Sequence, residues 1–233
     1  MTKAELALLV NQKAEEHKSD KDGGYDLIAV LSQIYANLRE TEQRQLREYL
    51  LEEIERKAPE LWGVALEVLI RHGDDEIACK LEELARQAQD QEFKEQLILA
   101  LLRMGYKASD IYIPHIQSLM AHNRPVCAEL AHLYRVSPQQ SLEMAADFFA
   151  RELSSEDGVR RAENCIPVFV YNYPDEDERS LASLVDATRK LAPEAATELR
   201  RLIIDSLNKP WVGEFLGTGK RDQVLAHLGF SKS

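Results

Sequence analysis

Three segments of this chain stand 32 residues apart: ALEVLIRHG at 65–73, LILALLRMG at 97–105 and ELAHLYRVS at 129–137. A fixed period of this size marks a chain assembled from stacked supersecondary units. Within each segment the apolar residues recur at spacings of three and four, the pattern of a helix with one buried stripe. A 32-residue unit holds two helices of about 13 residues, each roughly 20 Å long, joined by turns. Neither helix can bury its stripe alone, so successive pairs must stack on one another. Leu66, Ile98 and Leu130 take equivalent places. One period further back lies Ile34, after Gln33, which stands where the later units have Ala65, Leu97 and Glu129. Leu38, Ile70, Leu102 and Tyr134 continue the register, and each is followed by an arginine: Arg39, Arg71, Arg103 and Arg135. In the second helix of each unit, Tyr49, Leu81, Ile113 and Ala145 are the expected core positions.

Glycine and proline number only 10 and 8 and fall mainly between helical stretches, where punctuation belongs. A first helix over 2–18 is predicted to end at SDKDGG, with Gly23 and Gly24 as the break and Asp22 or Asp26 as the next cap. Leu27, Val30, Leu31, Ile34, Tyr35 and Leu38 then form a stripe over 26–39. Thr41 is the expected cap of a charged helix, TEQRQLREYLLEEIERK, with Leu46, Tyr49, Leu50 and Ile54 inward and alternating charges in solvent. After Ser154 the register fades. Helices are expected at 156–172, with a kink or break at Pro167, and at 177–191, 194–207 and 219–229. Trp211 with Phe215 is expected to plug the end of the core. The whole reads as one all-α domain over 1–233: a capping helix in 1–25, helix-pair repeats over 26–153, and irregular repeats with a cap over 154–233.

On ALEVLIRHG, LILALLRMG and ELAHLYRVS the chain resembles the HEAT-like or armadillo-like α-solenoid class, over about residues 26–150. That resemblance implies an α-α superhelix of stacked antiparallel helix pairs, with about 12–14 helices in all, and a curved scaffold for macromolecules.

Twenty-nine Lys and Arg against 40 Asp and Glu leave a formal net charge of −11. This opposes a nucleic-acid partner, because phosphate binding depends on clustered cations that release counterions. The apolar run Leu6 to Val10 is too short for a signal peptide core or a membrane span. The three cysteines, Cys79, Cys127 and Cys165, are far apart, odd in number and set in helical sequence, which reads as buried reduced thiols in a cytoplasmic chain.

No residue set stands out as catalytic, and no cofactor or metal is expected. GTGK at 217–220 resembles part of a phosphate loop, but Glu214 occupies the place of the first glycine and Arg221 that of the magnesium-binding hydroxyl. His72 with Asp74 and Asp75 is the densest local cluster among six histidines; its position between two helices fits capping and dipole complementarity. Arg39, Arg71, Arg103 and Arg135 are expected near helix C-termini, with Glu67 four residues before Arg71. As an alternative they form a row of guanidinium forks for carboxylates or phosphates. The acidic segment YNYPDEDE places Tyr171 and Tyr173 beside Asp175, Glu176 and Asp177, a second candidate partner surface whose bland reading is a solvated loop. The function expected is a non-catalytic protein-protein interaction module. Its concrete form is a cytosolic inhibitor or immunity-type protein that masks a basic partner. The alternative is a nucleic-acid-binding or DNA-repair enzyme, since HEAT-like scaffolds include DNA-repair glycosylases.

Overall fold

The Thr2 hydroxyl accepts a hydrogen bond from the Glu5 N–H (3.3 Å) while the Glu5 carboxylate accepts one from the Thr2 N–H (2.7 Å). This reciprocal pair satisfies two donors that the first helical turn leaves free. It starts α1 (Lys3–His17) in a chain whose computed structural model describes residues 1–18, 23–59, 61–171, 184–212, 221–222 and 225–226, the side chains of 23–25, 170 and 171 excepted. The helices that follow are α2 (Gly23–Asn37), α3 (Glu40–Glu55), α4 (Trp62–His72), α5 (Asp75–Gln87), α6 (Gln91–Met104), α7 (Ser109–Ala121), α8 (Cys127–Val136), α9 (Pro138–Glu152) and α10 (Glu156–Tyr171). A 3-10 turn (Thr188–Lys190) precedes α11 (Pro193–Leu207). The described residues contain no strand, and none of their helices is long and apolar enough to cross a membrane.

Two compact units divide the chain, residues 1–106 and 107–233, and the boundary falls inside the stretch over which the 32-residue period runs. In the first unit α4 packs against both α2 and α6, α3 packs on α4 and α5, α5 on α6, and α1 closes the first pair by touching α2 and α3. The core is built from one stripe of each helix: Leu6 and Val10, Leu31, Leu46 with Leu50 and Ile54, Leu69, Leu81, and Leu97 with Leu101, each fully buried. Burial of such a side chain stabilises by about 1.5–3 kcal/mol, which is why the stripes decide the packing.

Burial follows the 32-residue spacing in three helices and departs from it in the fourth. Leu66, Ile98 and Leu130 are buried, as are Leu69, Leu101 and Leu133. One period back, Gln33 is exposed and Ile34 half-buried. The inward residues of α2 are instead Leu27, Ile28, Leu31 and Tyr35. In α7 the stripe is Tyr112, His115, Ile116 and Leu119, so Ile113 lies beside it, half-buried.

Several helix ends differ from their sequence expectations. Gly23 and Gly24 belong to the first turn of α2. Thr41 lies inside α3, whose start is set two residues earlier when the Glu42 carboxylate accepts from the Arg39 backbone N–H at 3.0 Å. α6 stops where Gly105 adopts φ +74°, a left-handed conformation that costs glycine least. α10 runs through Pro167. The hydrogen bond that this proline cannot donate is outweighed by burial of Ala162, Cys165, Ile166 and Phe169 around it.

In the second unit α8 packs on α9 and α10, and α11 rests on α10, α9 and the 3-10 turn. Phe149 is the hub: its ring meets Phe148 edge-on at 5.1 Å and Phe169 at 6.5 Å. The expected helix 194–207 coincides with α11. Of the expected helix 177–191, residues 184–191 are described, helical over 184–187 and passing into the 3-10 turn; the one at 219–229 falls largely, and GTGK and Phe215 wholly, outside the described residues.

Candidate functional site

The four arginines that share one sequence register have four different environments. Arg71 ends α4 and is exposed, with no ion pair among the described residues. Arg103 ends α6 and is held by both oxygens of Glu67 from α4, Nη2 to Oε2 at 2.8 Å. Glu67 is thus spent across the helix interface rather than on Arg71, because a bidentate fork offers better geometry than an exposed pair within one helix. Arg39 precedes α3 and clasps Glu42, its Nη2 donating at 2.9 Å, so it belongs to a helix start and not to a helix end. That hydrogen bond is the main cause holding the Glu42 carboxyl well below the usual range, with the amino terminus and the Arg39 N–H adding to it. Arg135 is exposed in the last turn of α8, in the second unit. Of the other candidate residues, Tyr171 is the last residue of α10, its side chain outside those described, and Tyr173, Asp175, Glu176 and Asp177 lie outside the described residues.

Beside Arg71 a polar cluster joins α2, α3 and the α4–α5 turn. The Tyr35 ring stacks on His72 at 4.5 Å, and its hydroxyl donates to the His72 carbonyl at 3.3 Å. Arg47 donates to the Tyr35 hydroxyl and pairs with Asp74 at 2.9 Å. Asp74 also caps α5 by accepting from the Ile77 N–H at 3.1 Å. Burial, with the Arg71 charge adding to it, lowers the His72 pKa from its ordinary 6.5. The folded state therefore resists protonation, so the stability His72 contributes is whole above about pH 6.5 and is lost as pH falls through its depressed folded value. His72→Phe keeps the ring stack without the titration. Its urea midpoint is expected to fall less than that of the parent between about pH 7 and pH 5; parallel curves would assign the acid loss to other groups.

In the second unit a cavity of about 390 Å³ opens among α8, α9, α10 and the turn before α8. Its apolar wall includes Pro125, Ala128, Phe148 and Val168, and its polar wall Asn123, Arg124, Glu129, Glu152, Arg161 and Asn164. Glu152 is 2% exposed and is held by two guanidiniums: Arg161 Nε donates at 2.6 Å, Arg151 at 2.9 and 3.1 Å. Arg151 also donates to the Met120 carbonyl at 2.6 Å. Buried His115 approaches Glu129 to 3.9 Å, beyond hydrogen-bond reach.

The same wall contains a disulfide. Cys127 opens α8 and Cys165 lies on the inner stripe of α10; their Cα atoms are 5.3 Å apart across 38 residues of sequence. Of the three cysteines expected as buried reduced thiols, Cys127 and Cys165 are buried but joined, and Cys79 is free but exposed, its Sγ 3.2 Å from the Tyr106 hydroxyl. The sequence placed each cysteine in helical sequence, but no local pattern tells a chain which cysteines will meet. Glu152 and Arg161 escaped notice for the same reason, each resembling an ordinary surface charge.

Among the described residues no three His, Cys, Asp or Glu side chains gather to hold a metal ion. The class these observations define is an all-helical protein of packed helix pairs. No family model, curated protein or solved structure matches the chain.

Proposed function

We propose that this chain is a non-catalytic protein-protein interaction module, its helix pairs forming turns of a HEAT-like superhelix that presents a surface to another protein. The observation that supports this reading is the packing of the first unit, where α4 lies between α2 and α6 while α3 and α5 pair with them in turn. Helices set side by side in this way offer an edge that a second macromolecule can read along its length. Arg71 is the guanidinium on that edge available to a partner carboxylate. The net charge of −11 favours a partner of basic overall charge and speeds its approach at low salt. An inhibitor or immunity-type protein that masks a basic enzyme fits both features.

The test begins with crosslinking in the source cell and mass spectrometry to obtain a partner, followed by titration with purified components. Arg71→Ala is expected to weaken binding about tenfold, equivalent to about 1.4 kcal/mol, without moving the melting temperature. Arg103→Ala is the stability control: it strands the half-buried Glu67 and is expected to cost about 1–2 kcal/mol of folding free energy. Wild-type affinity in a folded Arg71→Ala protein would remove this edge from the proposal. A salt-sensitive shift of a DNA duplex by the purified chain would replace it with the nucleic-acid reading.

A further inference from the structure

The Cys127–Cys165 bridge is buried, yet both of its cysteines border a cavity. Cys127 is 8% exposed and Cys165 1%. A protein reductase, which must bring its own cysteine against the S–S bond, finds little surface there. Yet both cysteines line the cavity of about 390 Å³, a size within the range of about 300–1,000 Å³ that admits small molecules. Asn164 and Arg161 give that space polar contacts, and Phe148 and Val168 an apolar floor.

Exchange at a disulfide needs a thiolate that can reach one sulfur and a second sulfur that leaves readily. The two cysteines differ in this respect. Cys127 is the first residue of α8, where free backbone N–H groups and the helix dipole favour a thiolate. Cys165 sits between Ala162, Ile166 and Phe169, all fully buried, where a thiolate is poorly solvated.

We propose that this cavity is a thiol–disulfide exchange site at which a low-molecular-weight monothiol of the glutathione class opens the Cys127–Cys165 bridge. The incoming thiolate forms a bond to Cys165 Sγ as the Sγ–Sγ bond breaks, and Cys127 leaves with the electron pair. A second monothiol attacks the small molecule's own sulfur in the mixed disulfide and expels Cys165 as a thiolate. One protein disulfide is reduced to two thiols, two monothiols are oxidised to one disulfide, and the two protons the monothiols lose pass through water to the protein sulfurs. The exchange frees α8 from its covalent tie to α10, and it stands independently of the interaction surface proposed for the first unit.

The experiment uses the full chain carrying Cys79→Ser, so that only the bridged pair remains. Protein treated with oxidised glutathione, then unfolded and alkylated, is expected to take up no label; two labels per chain would overturn the proposal at its root. Reduced glutathione added to the folded protein, with acid quench and peptide mass spectrometry, is expected to trap the mixed disulfide on Cys165 and leave Cys127 free for alkylation. An adduct confined to Cys127 would reverse the assigned polarity and overturn the mechanism. Opening by thioredoxin at equal thiol concentration is expected to be at least tenfold slower, and equal rates would show that the bridge is reached from outside the cavity. Ala128→Phe fills the cavity beside Cys127 and is expected to slow glutathione at least tenfold in the folded state while leaving the rate in urea unchanged. An unaltered folded rate would count against the cavity as the route.

Discussion

Replacing Cys127 and Cys165 together by alanine is expected to destabilise the second unit by about 4 kcal/mol, the loop-closure value for a link spanning 38 residues. The bridge acts chiefly on the unfolded chain, whose freedom it removes by tying the start of α8 to the middle of α10. Domains of this size have total stabilities of about 5–15 kcal/mol, so the loss consumes a large share of what holds the unit together. Urea melts of oxidised parent, reduced parent and the double variant provide the measurement. Reduced parent and variant are expected to unfold at similar, much lower midpoints than the oxidised parent. Coincidence of all three midpoints would mean that the link contributes nothing. Because the first unit contains neither cysteine, a probe placed there, such as Trp62 fluorescence, is expected to report a smaller shift.

Gly158→Ala is expected to cost about 3 kcal/mol despite the better helix propensity of alanine, which taken alone favours the substitution by about 1 kcal/mol. Gly158 lies in the first turn of α10, directly against the end of α9. A Cβ there would stand 2.0 Å from the Glu152 carbonyl oxygen and 2.7 Å from its carbon. These are backbone atoms, so relief requires α9 and α10 to separate. The separation would also disturb the Arg161–Glu152 pair, which bridges the same two helices at 2.6 Å. Gly63→Ala, in the first turn of α4 with nothing within 4 Å of its added carbon, is the matched control and is expected to stabilise by about 0.5–1 kcal/mol. A large drop in midpoint for Gly158→Ala beside a small rise for Gly63→Ala in thermal melts is the expected signature; stabilisation by both would mean that the α9–α10 junction yields without cost.

The helical nature of the chain was legible in the sequence, for reasons that individual residues make plain. Gly105 ends a helix whose Leu97, Leu101 and Leu102 point inward, and α11 was foreseen to within a residue at either end. Each of these rests on interactions within a few residues of sequence. Where an expectation failed, a competing local solution was nearly as good. Arg39 followed an apolar residue as Arg71 and Arg103 do, but Glu42 stood three residues away and captured it for the next helix start. The period extended into α2 on paper, while burial there follows Leu27, Ile28 and Leu31, since α1 and α4 cover a different side of that helix.

Periodicity and caps alone, then, determined that this chain is helical, where most of its helices run and which stripe of several of them turns inward. Only the tertiary structure decided that Glu67 belongs to Arg103, that Glu152 lies buried between two arginines, and that Cys127 and Cys165 are joined. The physical reason is one of range. A stripe or a cap is determined by neighbours one turn away, whereas a partner 9, 36 or 38 residues distant depends on which helix comes to rest against which.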